Sequence, residues 1–268
     1  MQVALAQLKP RPRAVPENLA RASELLAASA ESDLVVLPEL FLSGYQLHDV
    51  DPLAVELDGA EVGALRDAAR RAGTALVVGA AERIADGVAN SAICIDAAGE
   101  LAGVYRKTHL FGAERDAYVP GDSLAPIALD GRALGVMICF DMEFPEVART
   151  LAAQEAELLV TISANPSPFE LDHDLFARAR ALESGLPHVY VNRVGEEEGF
   201  QFCGRSLALD PDGRVLAEAE PGTEQVLSAE LGEPGRRDAR TRYRELLREE
   251  LYLSHPSAAA GRTSGRKP

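Results

Sequence analysis

Leu134-Gly135-Val136-Met137-Ile138-Cys139-Phe140-Asp141-Met142-Glu143-Phe144-Pro145-Glu146 is the stretch that decides how this chain reads. Its first part is an apolar run of strand length, and its second part is polar and turn-prone. Helical spacing follows over 146–156. At the seam stands Cys139, a thiol at the end of a buried strand, facing a strand-to-helix corner. Such a corner holds a side chain rigidly and still lets it meet a ligand, as a nucleophile must.

The same alternation extends in both directions. Downstream, 158–163 reads as a strand, 171–183 as a helix and 189–194 as a strand. Residues 206–209, 215–218 and 226–229 read as a meander, with Asp210-Pro211-Asp212-Gly213 as its first turn. A short charged helix is expected over 243–251. Upstream, 3–8 reads as a buried strand, 18–31 as an Ala- and Leu-rich helix, and 34–37 as a short strand ending at Pro38-Glu39. A helix over 61–72 stops at Gly73. Strands follow over 75–81, 89–96 and 101–106, with Asp96-Ala97-Ala98-Gly99 turning the chain between the last two. Strand-helix units mixed with strand-strand meanders predict an α/β layered sandwich rather than a barrel. No linker divides the chain, so one domain is expected over 1–253. The small, Pro-containing, basic tail at 254–268 is expected to be mobile.

Composition narrows the function. The chain has 268 residues, 47% of them hydrophobic, enough for a sizeable core, and no Trp. A formal charge of -15 argues against nucleic-acid or anionic-membrane partners. The cysteines are Cys94, Cys139 and Cys203, an odd number without CxxC spacing, which disfavours a disulfide framework or a zinc knuckle. The opening Met1-Gln2-Val3-Ala4-Leu5-Ala6-Gln7-Leu8 lacks a basic leader and reads as a strand. The expectation is a soluble, reduced, cytoplasmic protein.

Two other strand ends carry groups that a thiol nucleophile needs. Glu39 follows Leu34-Val35-Val36-Leu37-Pro38, among apolar neighbours that favour its neutral form and suit it to general-base work. Lys107 follows the strand over 101–106. Taken singly, these residues leave two readings open. Glu39 also reads as a loop glutamate, Lys107 as a snorkelling cation and Cys139 as a packing residue. His109 reads as a hydrogen-bonded structural histidine, and Cys94 and Cys203 as core. None of His48, His109, His173, His188 and His255 lies in a catalytic-dyad motif. No G-x-S-x-G elbow, P-loop or HExxH is present.

Together the stretches are specific. Leu37-Pro38-Glu39, Tyr105-Arg106-Lys107-Thr108-His109-Leu110-Phe111 and Ile138-Cys139-Phe140-Asp141-Met142-Glu143-Phe144-Pro145-Glu146 appear in that order. Glu114 with Tyr118 and Gly121 forms a fourth element. In these motifs the chain resembles the nitrilase, or carbon–nitrogen hydrolase, superfamily from about Met1 to Leu251. The resemblance implies a four-layer αββα sandwich, with two protomers packed through helical layers as a homodimer or higher homo-oligomer. It implies a catalytic triad of Glu39, Lys107 and Cys139. It also implies that Glu114 orients Lys107 and the substrate amide, and that the Phe140 backbone N–H serves an oxyanion hole. Neither a metal nor an organic cofactor is implied.

Within the superfamily the chain looks most like the small aliphatic amidases, including 5-aminopentanamide amidases and stereoselective amidases. Ala177-Arg178-Ala179-Arg180-Ala181-Leu182-Glu183 and Phe202-Cys203-Gly204-Arg205-Ser206 fit that group. Two departures lie near the pocket: Phe140 stands where Tyr is common, and the loop before Tyr118 is a residue shorter. The resemblance thus implies hydrolysis of a small linear amide to acid and ammonia through a thioester. If the substrate carries an ammonium end, Glu143 and Asp141 beside Cys139 are candidates to meet it; both also read as structural groups that support the site. The alternatives are an N-carbamoyl amine hydrolase, then a nitrilase. A catalytically silent binding protein on the same fold would have lost a triad member, and all three are present.

Overall fold

The computed structural model describes residues 1–232 and, beyond them, Tyr243 and Arg248 alone. The helix expected over 243–251 and the tail at 254–268 therefore lie outside the described residues. The first half contains β1 (Gln2–Gln7), α1 (Val15–Ala28), β2 (Leu34–Val36), α2 (Ala60–Ala72), β3 (Ala75–Ile84), β4 (Gly87–Ile95) and β5 (Leu101–Arg106). After the one-turn α3 (Glu114–Ala117), the second half brings β6 (Ile127–Leu129), β7 (Arg132–Ile138), α4 (Pro145–Ala153), β8 (Leu158–Ser163) and α5 (Glu170–Ser184). It ends with β9 (His188–Asn192), β10 (Val194–Glu197), β11 (Phe200–Cys203), β12 (Leu207–Leu209), β13 (Val215–Glu218) and β14 (Gln225–Glu230).

Among the described residues the strands form two six-stranded sheets, ordered β14-β1-β2-β3-β4-β5 and β13-β12-β9-β8-β7-β6, with β10 and β11 as a separate hairpin. The central runs β1-β2-β3 and β7-β8-β9 are parallel, and their flanks are antiparallel. Side-chain alternation sorts the layers. Val3, Leu5, Leu34, Val36, Ala75 and Val77 face a core shared with Leu134, Val136, Ile138, Leu158, Val160 and Ile162 of the other sheet. Their neighbours Ala4, Ala6, Val35, Leu37, Leu76 and Val78 pack on Ala22 and Leu26 of α1 and Val62 and Leu65 of α2. Buried on both faces, these strands read as unbroken apolar runs. On the far side α4 covers Met137 and Leu159, and α5 covers Tyr190, Leu207 and Leu209. The result is the αββα sandwich that the motifs implied. No helix among the described residues is long and apolar enough to cross a membrane.

The structure corrects several element readings. Helix α1 starts at Val15, because Pro16 fits the first helical turn, and it ends at Ala28. Helix α4 stops at Ala153, and Glu155 turns the chain with φ 66°. Strand β9 ends at Asn192, and the hairpin of β10 and β11 was not expected. The supposed three-strand meander is divided between sheets: β12 pairs with β13, but β14 crosses to pair with β1. Gln7 guides that crossing, because its side-chain amide donates to the Glu220 and Thr223 carbonyls at 2.7 and 2.8 Å.

Candidate active site

The ends of β2, β5, β7 and β8 converge on one cavity. Glu39 lies just beyond β2, where the chain turns through Leu40 with φ 49°. This turn is pressed against β3 at Gly79. A Cβ there would stand 2.3 Å from the Pro38 oxygen and 2.4 Å from the Leu40 nitrogen, so glycine is required for the close approach. Cys139 follows β7 with φ 47°, an uncommon conformation for a residue bearing a side chain, and opens a 3₁₀ turn over Cys139–Glu143. Such local strain is characteristic of functional corners.

Asp141 fixes that corner. Its carboxylate accepts hydrogen bonds from the Tyr105 hydroxyl (2.8 Å), the Thr108 hydroxyl (2.8 Å), the His109 amide (2.9 Å) and the Ile138 amide (3.1 Å). The turn carrying Cys139 is thereby tied to the loop carrying Lys107. Asp141 is fully buried and its oxygens are occupied, so it is not available to a substrate ammonium. His109 is held by Asp141 at 2.9 Å and stacks on Phe144 at 4.1 Å, in keeping with a structural role.

Lys107 is buried between two carboxylates. Its Nζ lies 2.6 Å from Glu39 Oε1 and 2.8 Å from Glu114 Oε2. Glu114 is held in turn by the Tyr45 hydroxyl and the Phe111 amide, each at 2.9 Å. Glu39 Oε1 also accepts from Asn90 Nδ2, and Oε2 accepts from the Ala164 amide, both at 2.7 Å. A carboxylate has about four lone-pair sites. Two are used on Oε1 and one on Oε2, which leaves Oε2 with room for a proton.

The electrostatics follow from burial. Desolvation raises the Glu39 pKa, and Glu114 adds to this, while Lys107 opposes it. Burial disfavours the Lys107 charge, yet Glu114 and Glu39 outweigh it and hold the ammonium well above its ordinary range. Burial and the nearby Glu39 charge push the Cys139 thiol up, with Lys107 opposing. A thiol kept neutral at rest beside a carboxylate of raised basicity is an acid–base pair waiting for an electrophile. Of the other thiols, Cys94 sits in the core between the sheets, and burial pushes it up to about 12. Cys203 is buried against the Asn165 carbonyl at 3.1 Å and pushed up to about 11, chiefly by burial.

The cavity has a volume of about 130 Å³. Cys139 and Glu114 line it, with Tyr45, Phe111, Phe140 and Phe202 as aromatic walls. Glu143, Asp172 and His173 bring polar groups to the same cavity. Of the residues singled out from sequence, Glu39, Lys107 and Glu114 meet in ion pairs, their charges act on Cys139, and Glu114, Cys139, Phe140 and Glu143 line the pocket. Sequence reading missed Asn90, Tyr45, Asp172 and the Ala164 amide. Asn90 left a trace, as an amide inside the apolar run Val88-Ala89-Asn90-Ser91-Ala92; the others left none.

The carbon-nitrogen hydrolase family matches this chain over residues 2–240. An (R)-stereoselective amidase from a Pseudomonas species is 38% identical over 261 residues, covering 95% of this chain and 93% of its own. A nitrilase from Pyrococcus abyssi is 37% identical over 239 residues, covering 86% and 89%. Among solved structures, a variant of the amidase from Nesterenkonia sp. AN1 bears acrylamide added to its active-site cysteine. It matches with a TM-score of 0.83 at 31% identity, covering 94% of this chain and 98% of that one. Another variant of that amidase, in complex with butyramide, matches with a TM-score of 0.82 at 31% identity, covering 94% and 95%. A match over nearly the whole length, on the same sandwich and with the motif residues gathered at one cavity, leaves no ambiguity of kinship: this chain belongs to the carbon–nitrogen hydrolase family.

Proposed function

We propose that the protein is a cysteine-dependent amidase that converts a small linear amide to the carboxylic acid and ammonia, with Glu39, Lys107 and Cys139 as its catalytic groups. One observation carries this reading: a buried ammonium clamped between Glu39 and Glu114 at the cavity that Cys139 lines. The amidases among its relatives support the same chemistry.

The steps follow from the geometry. Cys139 Sγ attacks the amide carbon while its proton passes to Glu39, whose Oε2 has a free acceptor site. The carbonyl oxygen gains negative charge beside the fixed ammonium of Lys107. The Phe140 amide belongs to the first residues of a 3₁₀ turn, whose N–H groups lack acceptors within the turn, and it serves as the second oxyanion donor. Glu39 returns the proton to the nitrogen, ammonia leaves, and a thioester remains on Cys139. Glu39 then takes a proton from water as the hydroxide adds to the thioester. Collapse releases the acid, and the proton returns to sulfur.

The cavity suits an aliphatic chain of a few carbons between aromatic walls. Glu143 and Asp172 suit an ω-amino amide such as 5-aminopentanamide, because each offers a carboxylate to an ammonium end. The outer face of α5 exposes Leu171 and Leu175, at 67% and 64%, which favours pairing of two copies through their helical layers. Ammonia release across butyramide, 5-aminopentanamide, an N-carbamoyl amine and a nitrile tests the assignment. The amides are expected to turn over fastest. Preference for the carbamoyl or nitrile compound would replace the reading by the corresponding hydrolase.

A further inference from the structure

A line of buried side chains outside the triad reaches Cys139. Strands β7 and β8 run parallel with Ile138 opposite Ile162, so the next residues, Cys139 and Ser163, are neighbours across the sheet. From that position the Ser163 hydroxyl eases ionisation of the Cys139 thiol, the effect of a donor beside a sulfur. The Tyr190 hydroxyl on β9 donates to Ser163 Oγ at 3.3 Å. His173 Nδ1 on α5 lies 3.0 Å from the Tyr190 hydroxyl. The other edge of that imidazole, Nε2, lies 3.4 Å from Glu143 Oε1. Glu143 closes the 3₁₀ turn that Cys139 opens, so the line returns to the element where it began. Ser163, Tyr190 and His173 are all buried, at 0%, 2% and 2% exposure.

Hydrogen bonds in series have a direction, because each hydroxyl has one proton to give. With the proton of His173 on Nδ1, the imidazole donates to Tyr190, Tyr190 to Ser163 and Ser163 to the sulfur. The sulfur then accepts from Ser163 while its own proton remains free to leave for Glu39.

We infer that Ser163, Tyr190 and His173 form a donor line that aims one hydrogen bond at the Cys139 sulfur and stabilises the thiolate during attack. Ser163 touches the reacting atom. Tyr190 and His173 act through it and are positioning residues. The inference rests on Cys139 being the nucleophile proposed above. Burial and Glu39 both work against a thiolate at this site, so a donor that offsets them has a direct effect on reactivity.

The test is the pH dependence of Cys139 alkylation by iodoacetamide in the full chain, together with kcat and KM for butyramide. The groups acting on the thiol from the surrounding elements are Glu39 after β2, Lys107 after β5 and Glu114 on α3, with Tyr190 on β9. The three charged groups are retained in every variant. Ser163→Ala is expected to slow alkylation at neutral pH roughly tenfold or more, as for loss of a hydrogen bond to a charged acceptor. Its alkylation midpoint moves to higher pH, and kcat falls with KM nearly unchanged. Ser163→Thr restores most of the rate. Tyr190→Phe keeps the ring, moves the midpoint in the same direction by less, and decides the question if Ser163→Ala does not fold. Wild-type rates and midpoints in both Ser163→Ala and Tyr190→Phe overturn the donor line, as does a wild-type midpoint in Tyr190→Phe alone should Ser163→Ala not fold. If alkylation of Cys139 in the wild-type enzyme leaves turnover intact, the nucleophile assignment fails instead, so the two failures are distinct.

Discussion

Replacing Lys107 by Met removes an ammonium that sits 2.6 Å from Glu39 and 2.8 Å from Glu114, with all three side chains at 0–1% exposure. Two carboxylates are then left in the interior without their cation. Breaking a buried pair by deleting one partner costs about 3–5 kcal/mol. Burial already favours the protonated form of Glu39, and proton uptake there relieves part of the charge. The expected loss of unfolding free energy is therefore at the low end, about 3 kcal/mol. The barrier rises separately. Loss of one oxyanion donor costs about 3 kcal/mol, or roughly a hundredfold in kcat. A further effect has a definite sign. Lys107 lowers the Glu39 pKa, so without it Glu39 keeps its proton to higher pH and cannot take the one from Cys139. The acid limb of kcat should move upward, with part of the lost activity returning on the alkaline side. Ammonia release from butyramide as a function of pH reads the barrier, and urea unfolding reads the stability. An unchanged kcat would remove Lys107 from the oxyanion site. A large loss of kcat with an unmoved acid limb would refute its coupling to Glu39.

Glu143→Gln should raise KM for 5-aminopentanamide several-fold more than for neutral pentanamide, the gap expected when a charge-assisted bond of about 1.5–3 kcal/mol is weakened; equal effects on both would exclude an ammonium-binding role. Gly79→Ala should destabilise by about 1–3 kcal/mol and lower kcat, because the new Cβ meets backbone at Pro38 and Leu40 and displaces the Glu39 turn. Wild-type stability and kcat in that variant would show that the close approach is not needed. His188 accepts from Thr161 at 2.8 Å and donates to the Ala177 carbonyl at 3.0 Å, and burial presses its pKa down to about 4. An unfolded histidine takes up its proton near pH 6.5. Between that pH and about 4 the unfolded chain binds a proton that the folded chain refuses. Stability should therefore fall as pH drops through that window, by about 3 kcal/mol in total. Denaturant unfolding of His188→Gln should show a smaller acid loss than wild type; an identical profile would rule out His188 as its source.

Legibility from sequence differed by the kind of contact involved. Strands β1, β2, β7 and β8 are buried on both faces, so their apolar runs announced themselves, and with them the ends that carry Glu39 and Cys139. Glu114 was reached only through the family motif, because nothing local says that a glutamate on a one-turn helix will meet a lysine across a buried gap. The hairpin of β10 and β11 was hidden by its composition. Glu196 and Gln201 point to solvent, and Gly195 and Gly199 read as loop rather than strand. The crossing of β14 to β1 depends on Gln7 reaching the chain past Glu220, a contact that no periodicity records. Asp141 read either as a structural group or as a candidate for a substrate ammonium, because it neighbours Cys139. Only the approach of Tyr105, Thr108 and His109 from another strand end shows that its oxygens are already taken. The line through Ser163, Tyr190 and His173 was invisible for the same reason: it joins two strands and a helix by side chains that look like ordinary core or surface in a linear reading.

The central claim is that Cys139 carries the acyl group. Acid-quenched enzyme turning over butyramide, analysed by intact mass and peptide mapping, measures this directly. The account predicts a butyryl adduct on the peptide containing Cys139, absent from Cys139→Ala, which folds but releases no ammonia. A butyryl adduct mapped to a different residue, or ammonia release by Cys139→Ala near the wild-type rate, would contradict it.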